Sequence, residues 1–199
     1  MQMKMKLILT TISAALLFSA CSNTQPQEVS KKMIEEQEIK LQAKKAIRIV
    51  GGAFMQTLNM KVKEGGLTNA ATFCSTHTED LYNEVSKSLD EGISVRRITD
   101  KPRNMENMAN EEQLKVFEEI KTKIVKGEKI GMLVKQKSVN HYQVYKPIVM
   151  LPKCLNCHGD SNIREKEPYN IISRKYPKDM AIDYKAGDFR GAFLVDIIK

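Results

Sequence analysis

The chain has no tryptophan, four cysteines and three histidines among its 199 residues, so each thiol and each imidazole can be accounted for individually. Glycine (10) and proline (6) are also scarce, which excludes a collagen-like or low-complexity chain. The N-terminal apolar run from Leu7 to Ala20 is shorter than the about 20 residues that a transmembrane helix needs. With 42% apolar and 28% charged residues, neither a polytopic membrane protein nor a fully disordered chain fits. The length suits one domain, or one domain with extensions. No internal repeat is present.

Residues 1–20 begin with Lys4 and Lys6 and continue into the short apolar run, the pattern of an export signal. Leu17-Phe18-Ser19-Ala20-Cys21 resembles a bacterial lipoprotein box, with Phe18 where leucine is usual. That resemblance makes Cys21 the lipidated first residue of the mature chain and gives the protein a lipid anchor in a membrane. Secretion without lipid is the alternative. Ser22 is not the aspartate that, in the lipoproteins of some bacteria, signals inner-membrane retention, which favours the outer membrane slightly. Residues 21–30, with Pro26 among polar side chains, read as a flexible tether, and residues 31–199 as one domain. The net charge is +8, or +6 without Lys4 and Lys6. Export removes nucleic acid as the partner for that charge, leaving a solvated surface or one facing anionic head groups.

Apolar spacing predicts a helix from Ser30, its N-cap, to Val62, kinked or divided at Gly51-Gly52 and stopped at Gly65-Gly66. A second helix is expected from Thr68 to Leu89, with Ala70, Cys74, Leu81 and Val85 on one stripe. Ile93–Ile98 reads as a strand, and Asp100 to Asn110 as a loop. Asn110 caps a third helix, Glu111 to Lys126, with Leu114, Phe117, Ile120, Ile124 and Val125 inward and Gly127 as its stop. Strand-like runs follow at Lys129–Gln136 and Val139–Met150, joined at Lys137-Ser138, with a last one at Arg190–Ile198. Helices first and strands later give an α+β fold with a mostly antiparallel sheet.

The strongest chemical signal is Cys154-Leu155-Asn156-Cys157-His158. In an exported protein this Cys-x-x-Cys-His run reads as a c-type haem attachment site. Two thiols at that spacing reach both vinyl groups of one porphyrin edge, and the next residue presents its imidazole to the iron. One covalent haem c per chain is expected. A thioredoxin-type pair wants a βαβ context, which is missing here, and a zinc site wants more Cys or His ligands.

The other axial position is open to several residues. Cys74, left over after lipid and haem take the other thiols, is either a small buried hydrophobe or a thiolate ligand. His77 lies on the same helix, and His141 on a strand near the motif. Eight of the eleven methionines lie beyond the signal segment. A vacant or water-bound position is the remaining alternative.

Further residues extend the pattern: Tyr142-x-x-Tyr145-Lys146-Pro147, Tyr176-Pro177-x-Asp179-x-Ala181, Gly187-Asp188-x-Arg190-Gly191-Ala192, Arg96-Arg97 and Arg103-Asn104. The set, over residues 35 to 199, resembles domain of unknown function 3365, a family of exported c-type haem proteins and haem-bearing sensor domains. The resemblance implies a fold similar to PAS sensor domains, an antiparallel sheet with long N-terminal helices packed on it. It also implies iron held by His158 and by Cys74 from an N-terminal helix. Where the family usually has Arg-Asn-Pro, this chain has Arg103-Asn104-Met105, so the loop is less constrained and a methionine ligand becomes thinkable.

Arg96, Arg97 and Arg103 are candidates to pair with haem propionates, since guanidinium forks suit carboxylates, with surface charge as the plain alternative. Tyr142 and Tyr145 either meet the haem edge or belong to the core. The expected function is a redox or small-ligand haem sensor or binding module. Its signal has to pass to a separate signalling or redox protein, since the chain carries no kinase domain. The alternative is an exported electron-transfer cytochrome that keeps both ligands in both oxidation states. A peroxidase-like enzyme ranks below both.

Overall fold

The computed structural model describes residues 26–199. The expected signal segment, Cys21 and the start of the tether lie outside these residues. Helix α1 spans Pro26–Thr76. It begins four residues before Ser30, so residues 26–30 are helical and not tether. Pro26 is tolerated in a first turn, and Glu28 there complements the helix dipole. The helix is interrupted at Gly65 and Gly66, where Gly66 takes a φ of 70° that side-chain-bearing residues avoid. Gly51-Gly52 neither kinks nor divides it. A Cβ on Gly51 would lie 2.8 Å from the Phe193 ring, so the missing side chain lets the helix approach the sheet there. The expected second helix is two pieces. The end of α1 carries Cys74, His77 leaves the helix, and α2 covers Thr78–Ser86.

Four strands follow: β1 Ile93–Ile98, β2 Leu133–Ser138, β3 His141–Val149 and β4 Phe189–Ile198. They form one antiparallel sheet in the order β1-β4-β3-β2. The β2–β3 turn is therefore at Val139-Asn140, two residues later than expected, and Lys129–Met132 is not strand. Helix α3, Glu111–Val125, opens with a capping box between Asn110 and Gln113. Its expected inward residue Val125 is instead 87% exposed.

Alternation along β4 sorts the core into two layers. Val195 and Ile197 point with Tyr142 and Val144 toward Ile39, Ala43 and Ala46 of α1. Ala192 and Leu194 point with Ile98 and Tyr145 toward Phe117 and Ile120 of α3. The central strand is thus apolar on both faces because each face is covered by a helix. The fold is α+β, with a long N-terminal helix packed on an antiparallel sheet. No helix among the described residues is long and apolar enough to cross a membrane.

Candidate cofactor site

Beyond β3 the chain makes a 3-10 turn, Pro152–Cys154, and one helical turn, α4, Leu155–His158. Helix α5, Lys166–Lys175, then packs against α1. Cys154 and Cys157 are free, partly exposed thiols one helical turn apart. Cys154 and Leu155 pack against a small apolar cluster of Met150, Ala181 and Tyr184.

His158 follows the second thiol and is held from below. Its Nδ1 lies 2.7 Å from the Ala181 carbonyl oxygen. A carbonyl can only accept, so Nδ1 carries the proton and Nε2 keeps its lone pair. Burial, with Arg103, Arg190 and Arg97 nearby, pushes the imidazolium form well below the usual range, so the ring is a neutral donor. Ala181 is itself fixed: its N–H donates to Asp179 Oδ1 at 2.8 Å, and Asp179 Oδ2 accepts from Arg103 Nε at 3.0 Å. The Tyr184 N–H donates to the His158 carbonyl at 3.0 Å, which ties the following loop to the same turn.

Three guanidinium groups converge here. Arg103 pairs with Asp179 and donates to the Cys157 carbonyl at 2.9 Å. Arg190 donates from Nη1 to Thr99 Oγ1 at 2.8 Å and to the Lys101 carbonyl at 3.1 Å. Arg97 lies over the Phe54 and Tyr82 rings, 4.7 and 5.2 Å from their centroids. Among the described residues Asp179 is the only carboxylate that ion-pairs with any of them. Three positive groups against one negative group leave two charges uncompensated in a largely buried region, a costly arrangement unless an anion joins it. The Tyr82 and Tyr184 hydroxyls are also buried there without a hydrogen-bond partner among the described residues. Cys74 shares this neighbourhood. Burial pushes its thiol up to about 11, against the pull of Arg103 and Arg97, and the Cys157 thiol is close enough to add to the rise.

The structure therefore brings together Cys154, Cys157, His158, Cys74, Arg97 and Arg103. It does not bring in Arg96 or Tyr142. Arg96 pairs with Leu194 and so faces the α3 side of the sheet, the opposite side from Arg97. Tyr142 is buried against α1 at the start of β3 and donates to Glu35 at 2.7 Å. His141 begins the same strand, roughly 25 Å along it from the motif side, with its Nε2 2.9 Å from Asp196. Tyr145 belongs to the α3 core layer, and His77 is spent at the α1–α2 break, beside Thr76. The Tyr142→Phe variant should lower the thermal midpoint by no more than a few degrees and leave any cofactor spectrum unaltered. A changed spectrum would return Tyr142 to the site.

Asp179, Ala181, Tyr184 and Arg190 join the site without being individual candidates from sequence. Their signal is present in Tyr176-Pro177-x-Asp179-x-Ala181 and Gly187-Asp188-x-Arg190, but nothing local in those runs says what they touch.

The domain is α+β, and beside its sheet it sets a Cys-x-x-Cys-His turn, a tautomer-fixed histidine and an excess of guanidinium groups, the donor set a cofactor-binding module would need. The chain belongs to the family described as Tll0287-like, whose model matches residues 19–197. The residue pattern resembles domain of unknown function 3365, but the family shown is the Tll0287-like one, and that name replaces it. Among solved structures, the chain is similar to the one titled "Crystal structure of the cyanobacterial heme-protein Tll0287". The TM-score is 0.51 at 20% identity, over 88% of this chain and 98% of that one. At that identity the likeness shows the fold. No curated protein matches the chain.

Proposed function

We propose that the protein is an exported, lipid-anchored monohaem protein of c type, acting as a redox or small-ligand sensor or binding module. The observation that carries it is the His158 Nδ1–Ala181 hydrogen bond at 2.7 Å, which leaves Nε2 as a free, neutral donor directly after two free thiols. A metal-binding histidine needs this second contact to fix tautomer and ring orientation. Membership of the Tll0287-like family supports the reading, as does the structural likeness to a cyanobacterial heme-protein.

Bound haem supplies an iron centre that takes up and returns one electron. The protein does the rest. Cys154 and Cys157 would hold the group through thioether bonds, and His158 would offer Nε2 to its metal. Cys74, near Arg97 and Arg103, would be the candidate second donor to that metal. Arg97 and Arg190, which have no carboxylate partner among the described residues, would be free to pair with its propionates, while Arg103 is already committed to Asp179. Cys21, outside the described residues, would carry the lipid that keeps the domain at a membrane, the outer membrane first.

The test is export together with a haem c attachment system, then mass spectrometry and a pyridine haemochrome spectrum of the purified protein. One haem per chain that survives denaturation is expected. A protein that emerges with unmodified Cys154 and Cys157 and no haem would overturn the reading.

A further inference from the structure

The Arg103–Asp179 pair is built around the backbone of a single residue, Ala181. The Asp179 carboxylate takes the Arg103 Nε–H on one oxygen at 3.0 Å and the Ala181 N–H on the other at 2.8 Å. The carbonyl of that same Ala181 takes the His158 Nδ1–H at 2.7 Å. Arg103 closes the ring from the other side. Its Nη2 donates to the Cys157 carbonyl at 2.9 Å and reaches the Ala181 carbonyl at 3.4 Å. The same nitrogen lies 3.3 Å from His158 Nδ1. Both of those atoms bear protons, so this last approach is a contact of charge with ring and not a hydrogen bond. The pair is nearly dry: 12% of the Arg103 side chain and 2% of the Asp179 side chain are exposed. Burying two ions costs about what their attraction returns, so stability alone does not explain such a pair beside an imidazole.

We propose that Arg103 is a positioning residue for His158 and, with Asp179, sets how strongly that imidazole donates to a bound iron. The inference rests on the haem reading above and adds to it the control of the reduction potential. An imidazole whose Nδ1–H is shared with a strong acceptor becomes electron-rich, and an electron-rich donor favours the ferric ion. Here the acceptor is a neutral carbonyl, and a guanidinium beside it draws on the same oxygen. Arg103 also occupies the Asp179 carboxylate, the strongest acceptor near the ring. Both effects hold His158 as a moderate donor and favour the ferrous ion. The bond from Arg103 to the Cys157 carbonyl ties this setting to the turn that carries both thiols.

The two charges give opposite predictions, which separates tuning from simple loss of structure. The experiment is optical redox titration of the haem-loaded protein, with attachment confirmed by mass. Arg103→Gln should shift the ferric–ferrous equilibrium at least tenfold toward ferric, about 59 mV for one electron. Asp179→Asn should shift it the other way by a similar factor, and Arg103→Lys should stay near wild type. Lys153→Gln, a change of an exposed charge beside Cys154, should move it less than threefold. If Arg103→Gln attaches no haem, Asp179→Asn decides alone. Haem attached to Arg103→Gln with an unaltered potential, or an Asp179→Asn shift that is absent or toward ferric, overturns the proposal. Absence of covalent haem from the wild type would instead sink the haem reading itself.

Discussion

With Cys154 and Cys157 both replaced by alanine, the exported protein should fold and yet carry no haem that survives denaturation. Each single variant should retain one thioether and keep its haem. The two thiols occupy successive turns of one short helical segment and both are free, and the contact Cys154 makes with the small cluster of Met150, Ala181 and Tyr184 lies away from the two main core layers. Removing them leaves His158 held by Ala181, so its imidazole can still meet a haem that diffuses in. A covalent link, however, keeps the group at high effective concentration, and without it binding falls back on ordinary affinity. The expected readout is a mass equal to the bare chain, with a spectrum that disappears on acid extraction. The haem-free chain should also melt earlier than the loaded one, because Arg97 and Arg190 then have no anion between them. Haem that stays attached to the double variant would show that another side chain holds it.

How much of this is legible in the sequence follows from how far apart the interacting residues lie. Cys154, Cys157 and His158 fall within five consecutive residues, so their spacing alone marks them as a candidate site. The capping box at Asn110 and Gln113 and the strand Ile93–Ile98 are legible for the same reason. The His158 cradle is not, because Arg103, His158 and Asp179 come from three separate segments, and Arg103 meets Asp179 across 76 positions. Propensity and periodicity say nothing about such contacts. Arg96 and Arg97 show the limit from another side. Neighbours in a strand face opposite ways, so only one of the pair can reach the site, and alternation does not say which until the sheet's faces are assigned. Tyr142 misleads by proximity in sequence. It shares β3 with the chain leading to Cys154, but a strand carries its two ends far apart. Helix α5 is easily passed over because Lys166–Lys175 is only 10 residues long and carries Pro168 in its first turn, although Pro168 and Ile172 are buried.

Replacing Cys74 by alanine should leave the haem attached and His158 in place, and should change both spectrum and potential. Cys74 sits near the C-terminal end of α1, partly buried, with Arg97 and Arg103 in electrostatic reach and the Cys157 thiol close by. Burial favours the neutral thiol, so an anionic sulfur at this position needs a cation to stabilise it, and a bound metal is the strongest one available. If sulfur faces the iron, the ferric protein should be low-spin with a thiolate signature in its EPR spectrum, and that signature should vanish in Cys74→Ala. Loss of an anionic donor should also favour the ferrous ion by a hundredfold or more, roughly 120 mV for one electron. The wild type then distinguishes sensor from carrier. A thiolate retained in both oxidation states keeps reorganisation small and suits electron transfer. A thiolate present only in the ferric state gives two ligation states that a partner could read, which is what a switch requires. An unaltered spectrum in Cys74→Ala would make this thiol a packing residue. The next candidates would be the exposed Met105 and Met108, in the same loop as Arg103.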